Sequence, residues 1–312
     1  LDFPTGTVEL RIVGSGRGTW WEQTALRRAV AADAPNVFFA PAYTTPLGLS
    51  MPVAVTIHDI SFVAHPEWFR WREGTRRRVL TRRAADRAAV VFTDSQFSRR
   101  EIEERLGIDP GKVRVIPPGL SPRATAPKSA RREPMVLFVG SLFNRRRLPD
   151  LIAAFARATA SLPAARLVIV GDNRTWPPQD LDAVARANGV QQRTEFRSYV
   201  RDEELAALYA SASVFAFLSE YEGFGLTPLE ALAAGVPPVV LDTPVAREVY
   251  GDAAAFVAPG DIAGTAAALH RFLTEPDAAR DLLSRAQPVL ARYSWDEAAA
   301  ETLAHIERVA LR

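Results

Sequence analysis

Short apolar runs rich in Val, Ile and Phe recur along the chain, most of them followed by a stretch of Ala, Leu and Arg with helical spacing of its apolar positions. Near-continuous hydrophobicity is what a strand covered on both faces requires, and a period of about 3.6 residues marks a helix with one buried face. The pattern predicts parallel strands at Val8–Val13, Val37–Ala40, Val53–Ile57, Ala89–Thr93, Val113–Ile116, Met135–Val139, Leu167–Val170, Thr194–Phe196, Val214–Leu218 and Pro238–Leu241. Strands alternating with helices imply an α/β, doubly wound architecture. Periodicity stops over Ser121–Pro134, where Pro, Ser, Ala and Arg take over, so this stretch reads as a linker between two sheets. The expected units are residues 1–125, residues 134–290 and a closing segment 291–312 whose helix, roughly Trp295–Val309, folds back on the first.

Ligands of open α/β sheets bind beyond the carboxyl ends of the strands. Here those ends carry His58-Asp59, Asp94-Ser95, Gly140-Ser141, Gly171-Asp172 and Ser219-Glu220. Two such sheets facing one another would enclose a polar cleft.

Length and composition narrow the chemistry. At 312 residues the chain suits two domains, and 48% hydrophobic with 24% charged residues is ordinary for a globular protein. No apolar stretch approaches the ~18 residues of a membrane span. Absence of Cys removes disulfides, thiolate metal sites and Cys nucleophiles, and the four histidines (His58, His65, His270, His305) are too scattered for a zinc motif. A net charge of +2 argues against bulk nucleic-acid binding. With only Lys112 and Lys128 as lysines, nearly all basicity is arginine, whose planar donors match phosphate oxygens in pairs.

The most informative stretch is Ser219-Glu220-Tyr221-Glu222-Gly223-Phe224-Gly225-Leu226-Thr227-Pro228-Leu229-Glu230. A strand enters a glycine-containing loop, and Thr227-Pro228 sit where a helix would be capped and begun. Gly223 and Gly225 let backbone amides approach a ligand, and a helix N-terminus behind them favours phosphate or a sugar hydroxyl. Glu222 and Glu230 would then bracket one small ligand. Equally, Thr227-x-x-Glu230 has the form of a capping box, with Glu230 satisfying backbone donors, and Glu222 has the alternative of an exposed loop carboxylate. Both readings stay open on the residues alone.

EGFGLTPLEALAAGVPPVV resembles the signature of the retaining glycosyltransferases of family four, the group 1 glycosyltransferases with the GT-B fold. The resemblance continues through VTIHDISFVAHPEWF, TDSQFSRREI, VRVIPPGL, LFVGSLFNRRRLPDLIAAF, VRDEELAALYASASVF and REVYGDAA, from about Trp20 onward. It implies two Rossmann-like domains around a central cleft. It also implies that Glu230 holds the ribose hydroxyls of a nucleotide and Glu222 the hydroxyls of the transferred sugar. Gly140 and the segment Gly223, Phe224, Gly225, Leu226 and Thr227 are then donor-binding. The family's Arg-Lys-Asn falls on Arg145, Arg146 and Arg147: Arg145 and Arg146 are expected to clamp the diphosphate, while Arg147 departs from the pattern. His58 matches the His that faces the donor sugar.

No Asp-x-Asp motif lies at a strand end. That absence argues against a bound metal, and the resemblance implies a cofactor-free, retaining transfer of a mannose-like hexose from a nucleotide-diphosphate sugar to a glycan or polyprenyl-linked acceptor. The alternative is a non-catalytic nucleotide-sugar-binding subunit. Arg72, Arg76, Arg83 and Arg87 recur at near-helical spacing and could meet anionic lipid, giving a cytoplasmic protein peripheral to the inner face of the membrane, although a solvated helix face explains them too. Family members open with a strand, a Gly-rich loop and a helix ahead of the segment matched by Trp20, so residues are expected to be absent before Leu1 or between Gly6 and Val8.

Overall fold

A computed structural model of the chain describes residues 9–14, 16, 18–120 and 132–311. Among the described residues, ten strands form two wholly parallel sheets. The first holds β1 (Phe38–Ala40), β2 (Val53–Thr56), β3 (Val90–Thr93) and β4 (Val113–Val115) in sequential order. The second holds β5 (Glu133–Val139), β6 (Arg166–Val170), β7 (Thr194–Arg197), β8 (Ala212–Phe217), β9 (Pro238–Leu241) and β10 (Ala255–Val257), in the order β10-β9-β8-β5-β6-β7. The chain winds outward from β5 through β6 to β7, then returns to lay β8 against the other side of β5. That reversal creates a crevice beyond the carboxyl ends of β5 and β8, the place where open α/β sheets bind ligands.

Inner strands read as continuous apolar runs are buried on both faces, as Val90, Val91, Phe92 and Thr93 of β3 and Pro238–Leu241 of β9 are. The edge strands β1, β4 and β7, also expected to be buried, are only partly covered because one side of each lacks a neighbouring strand. Helices complete the layers. The helix Leu148–Ala158 buries Leu148, Leu151, Ile152 and Phe155 in the core of the second sheet, which also takes in Phe138, Phe215 and Leu269. The helix Trp295–Ala310 crosses to the first sheet, where Ala298 and Val309 share a cluster with Ala54, Val90, Phe92 and Ile116.

Three expectations need correction. Val8 lies outside the described residues, and residues 9–13 form no strand. The run Val-Glu-Leu-Arg-Ile-Val alternates rather than staying apolar, and Leu10 and Ile12 are 71% and 86% exposed, so no layer covers them. The sequence pattern also missed β10, whose three residues pair with β9. It lies in Ala253–Ala258, where one Phe and one Val stand among alanines, so it lacks the Val, Ile and Phe enrichment that marked the other strands. Of the expected linker, residues 121–131 lie outside the described ones, but Arg132 and Glu133 belong to the second unit. Arg132 donates to the carbonyls of Tyr209, Ala212, Ala234 and Gly235 at 2.8–2.9 Å, and Glu133 opens β5. The residues expected to be absent ahead of Val8 fall outside the described part.

Candidate active site

Beyond β8 the chain runs through Leu218–Gly225 and enters the helix Leu226–Ala233. Gly225 is the cap of that helix, at φ +92, a left-handed value open to glycine. Tyr250 donates to its carbonyl at 2.8 Å. Thr227 is thus the second residue inside the helix, not its cap, and its buried hydroxyl has no hydrogen-bond partner. The capping-box reading of Thr227 and Glu230 is therefore overturned, because a capping hydroxyl must lie ahead of the first helical residue to reach the free amides. Glu230 instead accepts a hydrogen bond from the Tyr209 hydroxyl at 3.0 Å.

Glu222 is fixed from three sides. Ser219 donates to Oε1, Arg146 Nη1 lies 3.0 Å from Oε1, and Arg146 Nη2 donates to Oε2 at 3.3 Å. Arg145 Nε is 3.9 Å from the same carboxylate. Burial pushes the pKa of Arg146 down, opposed by the charge of Glu222. Its guanidinium lies 4.3 Å over the ring of Phe217. Its buried Nε and Nη1 atoms have no hydrogen-bond partner among the described residues.

Arg147 departs from its neighbours. It pairs with Asp150 at 2.6 Å and with Glu220, bracing the start of the helix Leu148–Ala158. Its φ of +50 is a conformation that Asn adopts more readily than Arg, which accounts physically for an Asn at this position in the family pattern.

On the first sheet, His58 follows β2 and Asp94 follows β3. His58 Nδ1 lies 2.9 Å from Asp94 Oδ2, and Nε2 is 3.2 Å from the carbonyl oxygen of Pro41. The hydrogen bond to Asp94 raises the pKa of His58 above the ordinary imidazole value, against a smaller opposing effect of burial. The two sheets meet at Gly223. Ser95 Oγ and Ser98 Oγ donate to its carbonyl at 2.6 and 3.1 Å, and a Cβ there would strike the carbonyl oxygen of His58. Close by, Glu248 accepts from the amides of Gln96 and Phe97 at 2.6 and 2.9 Å, bonding one unit to the N-terminus of the helix Gln96–Leu106 on the other.

This contact assembles a cavity of about 300 Å³ lined by His58, Asp94, Gly140, Arg146, Glu222 and the segment Gly223–Thr227. His58, Glu222, Arg146, Gly140, Gly223, Phe224, Gly225, Leu226 and Thr227, all singled out from sequence, therefore share one enclosure. Arg145 and Glu230 do not line it. Arg145 faces a second, larger cavity of about 530 Å³ between the two units, whose wall includes Tyr43, Trp68, Arg70 and Trp176; Asp59 borders both. Sequence reading missed the partners: Tyr43, which donates to Asp59 at 2.8 Å, Ser98, Tyr209 and Glu248. The Asp94-Ser95 pair was visible only as a polar strand end. Among the described residues, no three His, Asp or Glu side chains are grouped to hold a metal ion, and no helix is long and apolar enough to cross a membrane.

Comparison with known proteins places these features in context. The O-antigen chain mannosyltransferase B of Escherichia coli is 25% identical over 86% of this chain and 73% of its own length. The MMP alpha-(1->4)-mannosyltransferase of Mycolicibacterium hassiacum is 27% identical over 85% of this chain and 67% of its own. Among solved structures, Anabaena HepE in complex with UDP and glucose superposes with a TM-score of 0.71 at 21% identity, covering 92% of this chain and 83% of that one. Residues 5–124 match the family described as Glycosyltransferase Family 4, and residues 124–288 match Glycosyl transferases group 1. With that match over more than half its length and two parallel-sheet units meeting at the Glu222 cavity, the chain belongs to the group 1 glycosyltransferases and has the GT-B fold.

Proposed function

We propose that the protein transfers a mannose-like hexose from a nucleotide-diphosphate sugar to a glycan or lipid-linked acceptor, with retention of configuration and without a metal ion. The observation that carries this reading is the enclosure of Glu222, Arg146 and His58 together beyond β5 and β8. The bound UDP and glucose of HepE and the mannosyltransferase activity named for two relatives support the substrate class.

In this reading Glu222, oriented by Ser219 and Arg146, accepts hydrogen bonds from the hydroxyls of the transferred sugar. His58, with Nδ1 held by Asp94, presents its ring to the same sugar. Glu230 holds the ribose, with Tyr209 fixing its carboxylate. The acceptor oxygen attacks the anomeric carbon on the face from which the diphosphate departs. One C–O bond forms as the other breaks, and the acceptor proton passes to a leaving phosphate oxygen. Negative charge develops on that phosphate, where Arg146, Arg145 and the N-terminus of the helix Leu226–Ala233 supply positive charge already in place. No enzyme nucleophile takes part. Contact of Arg72, Arg76, Arg83 and Arg87, all exposed, with anionic lipid at the inner face of a membrane belongs to the same proposal. The shared cavity supports catalysis over a binding-only subunit.

Thermal-shift measurement with UDP, GDP and ADP sugars tests the donor class, since a ligand at 100 times its Kd stabilises by about 2.7 kcal/mol. Calorimetry then tests the two carboxylates. Glu230→Gln should weaken free nucleoside diphosphate roughly 10-fold or more, the loss of a hydrogen bond to a charged group, whereas Glu222→Gln should leave it unchanged and lower turnover. Equal losses in both variants would refute this division of labour.

A further inference from the structure

The cavity of about 530 Å³ falls within the ~300–1,000 Å³ range of small-ligand pockets. It adjoins the Glu222 cavity through Asp59, and Arg145, on its wall, reaches to 3.9 Å from Glu222. Its charge is not balanced from within. Glu73 is paired with Arg77 at 2.6 Å, and Asp59 is held by the Tyr43 hydroxyl and the amide of Ser61 at 2.8 and 2.7 Å. Three other arginines face the space. Arg174 has only an exposed pairing with Asp172 at 3.2 Å, which contributes little. Arg145 has a buried Nε with no acceptor. The Arg70 side chain makes no hydrogen bond or ion pair among the described residues, and its guanidinium lies 4.6 Å over the ring of Trp176.

That last contact is built rather than incidental. Arg70 comes from the first unit and Trp176 from the second. Trp176 is anchored by its own amide, which donates to Asn144 Oδ1 at 2.7 Å, and Asn144 Nδ2 returns a bond to the carbonyl of Pro177 at 3.1 Å. The neighbouring Arg174 amide donates to the carbonyl of Leu142 at 3.0 Å. An arginine lying over an indole keeps its edge donors for a planar or tetrahedral oxyanion.

Resting on the donor reading above, we infer that this cavity is the acceptor subsite and takes a saccharide bearing an oxyanion, a phosphate or a carboxylate, which Arg70 recognises from its seat on Trp176. Arg70 then decides which acceptor is used and takes no part in donor binding.

The test uses methyl glucoside, its 6-phosphate and methyl glucuronide, three probes that differ at one carbon. Each is titrated calorimetrically into the full chain with the donor cavity saturated by whichever nucleoside diphosphate binds. Both anionic probes should bind about 10-fold more tightly than methyl glucoside, the better of the two identifying the anion. Arg70→Met should bring all three to the same affinity while leaving nucleoside diphosphate affinity and melting temperature unchanged. Arg70→Lys should restore part of the preference, and Trp176→Ala should remove it with Arg70 intact. Equal binding of the three probes to the unaltered protein, no binding of any, or a preference that survives in Arg70→Met would overturn the inference. Absence of nucleoside diphosphate binding in the unaltered protein would instead overturn the donor reading.

Discussion

His58 Nδ1 and Asp94 Oδ2 lie 2.9 Å apart, joining the carboxyl ends of two adjacent strands of the first sheet at the edge of the Glu222 cavity. Because this bond raises the pKa of His58 in the folded protein, its contribution to stability is fully present below the ordinary value of 6.5 and is lost as pH rises through the raised value. Denaturant unfolding from pH 5 to 9 should show that loss in the unaltered protein and not in Asp94→Asn. A pH dependence identical in both would mean that the pair has no such linkage.

Thr227 offers a separation of folding from binding. Its hydroxyl is buried without a partner, so Thr227→Val removes an unmet polar group while conserving shape and should leave the melting temperature unchanged or slightly raised. If the hydroxyl meets a donor phosphate, the same variant should weaken nucleoside diphosphate by about 3- to 10-fold in calorimetry. A stability loss with unaltered affinity would assign Thr227 to the fold alone.

Gly223→Ala should be among the most damaging single changes. The new methyl meets the carbonyl oxygen of His58, and backbone on both sides leaves no flexible side chain to yield. The expected outcome is a lowered melting temperature together with loss of turnover, read by calorimetry and by product release. Turnover at the unaltered level would show that the two units do not need this close approach.

Glu248 should act on the join between the units. Glu248→Ala leaves the amides of Gln96 and Phe97 without their acceptor, at a cost of about 1 kcal/mol in unfolding free energy given partial solvent access. Nucleoside diphosphate affinity should persist, because Glu230 and the helix Leu226–Ala233 lie wholly within the second unit. A kcat equal to that of the unaltered protein would show that this bond is not needed to seat the two halves of the site.

Strand positions, the α/β class and the glycine-bearing loop around Glu222 were legible in the sequence because each is a local property: a covered strand must be apolar throughout, and a loop behind a helix start must carry glycine. Residues 9–13 show the limit of such reading, since Leu10 and Ile12 are exposed and form no covered strand. What the tertiary structure decided is which polar groups meet. His58 and Asp94 are 36 residues apart, Ser95 and Gly223 128 apart, and Gln96 and Glu248 152 apart. Likewise, the cap position that Thr227-Pro228 pointed to moved to Gly225, whose left-handed turn is tied down by Tyr250, 25 residues downstream. Hydrogen bonds specify partners by geometry over a few ångströms, and that geometry exists only once the two sheets have set their strand ends against each other.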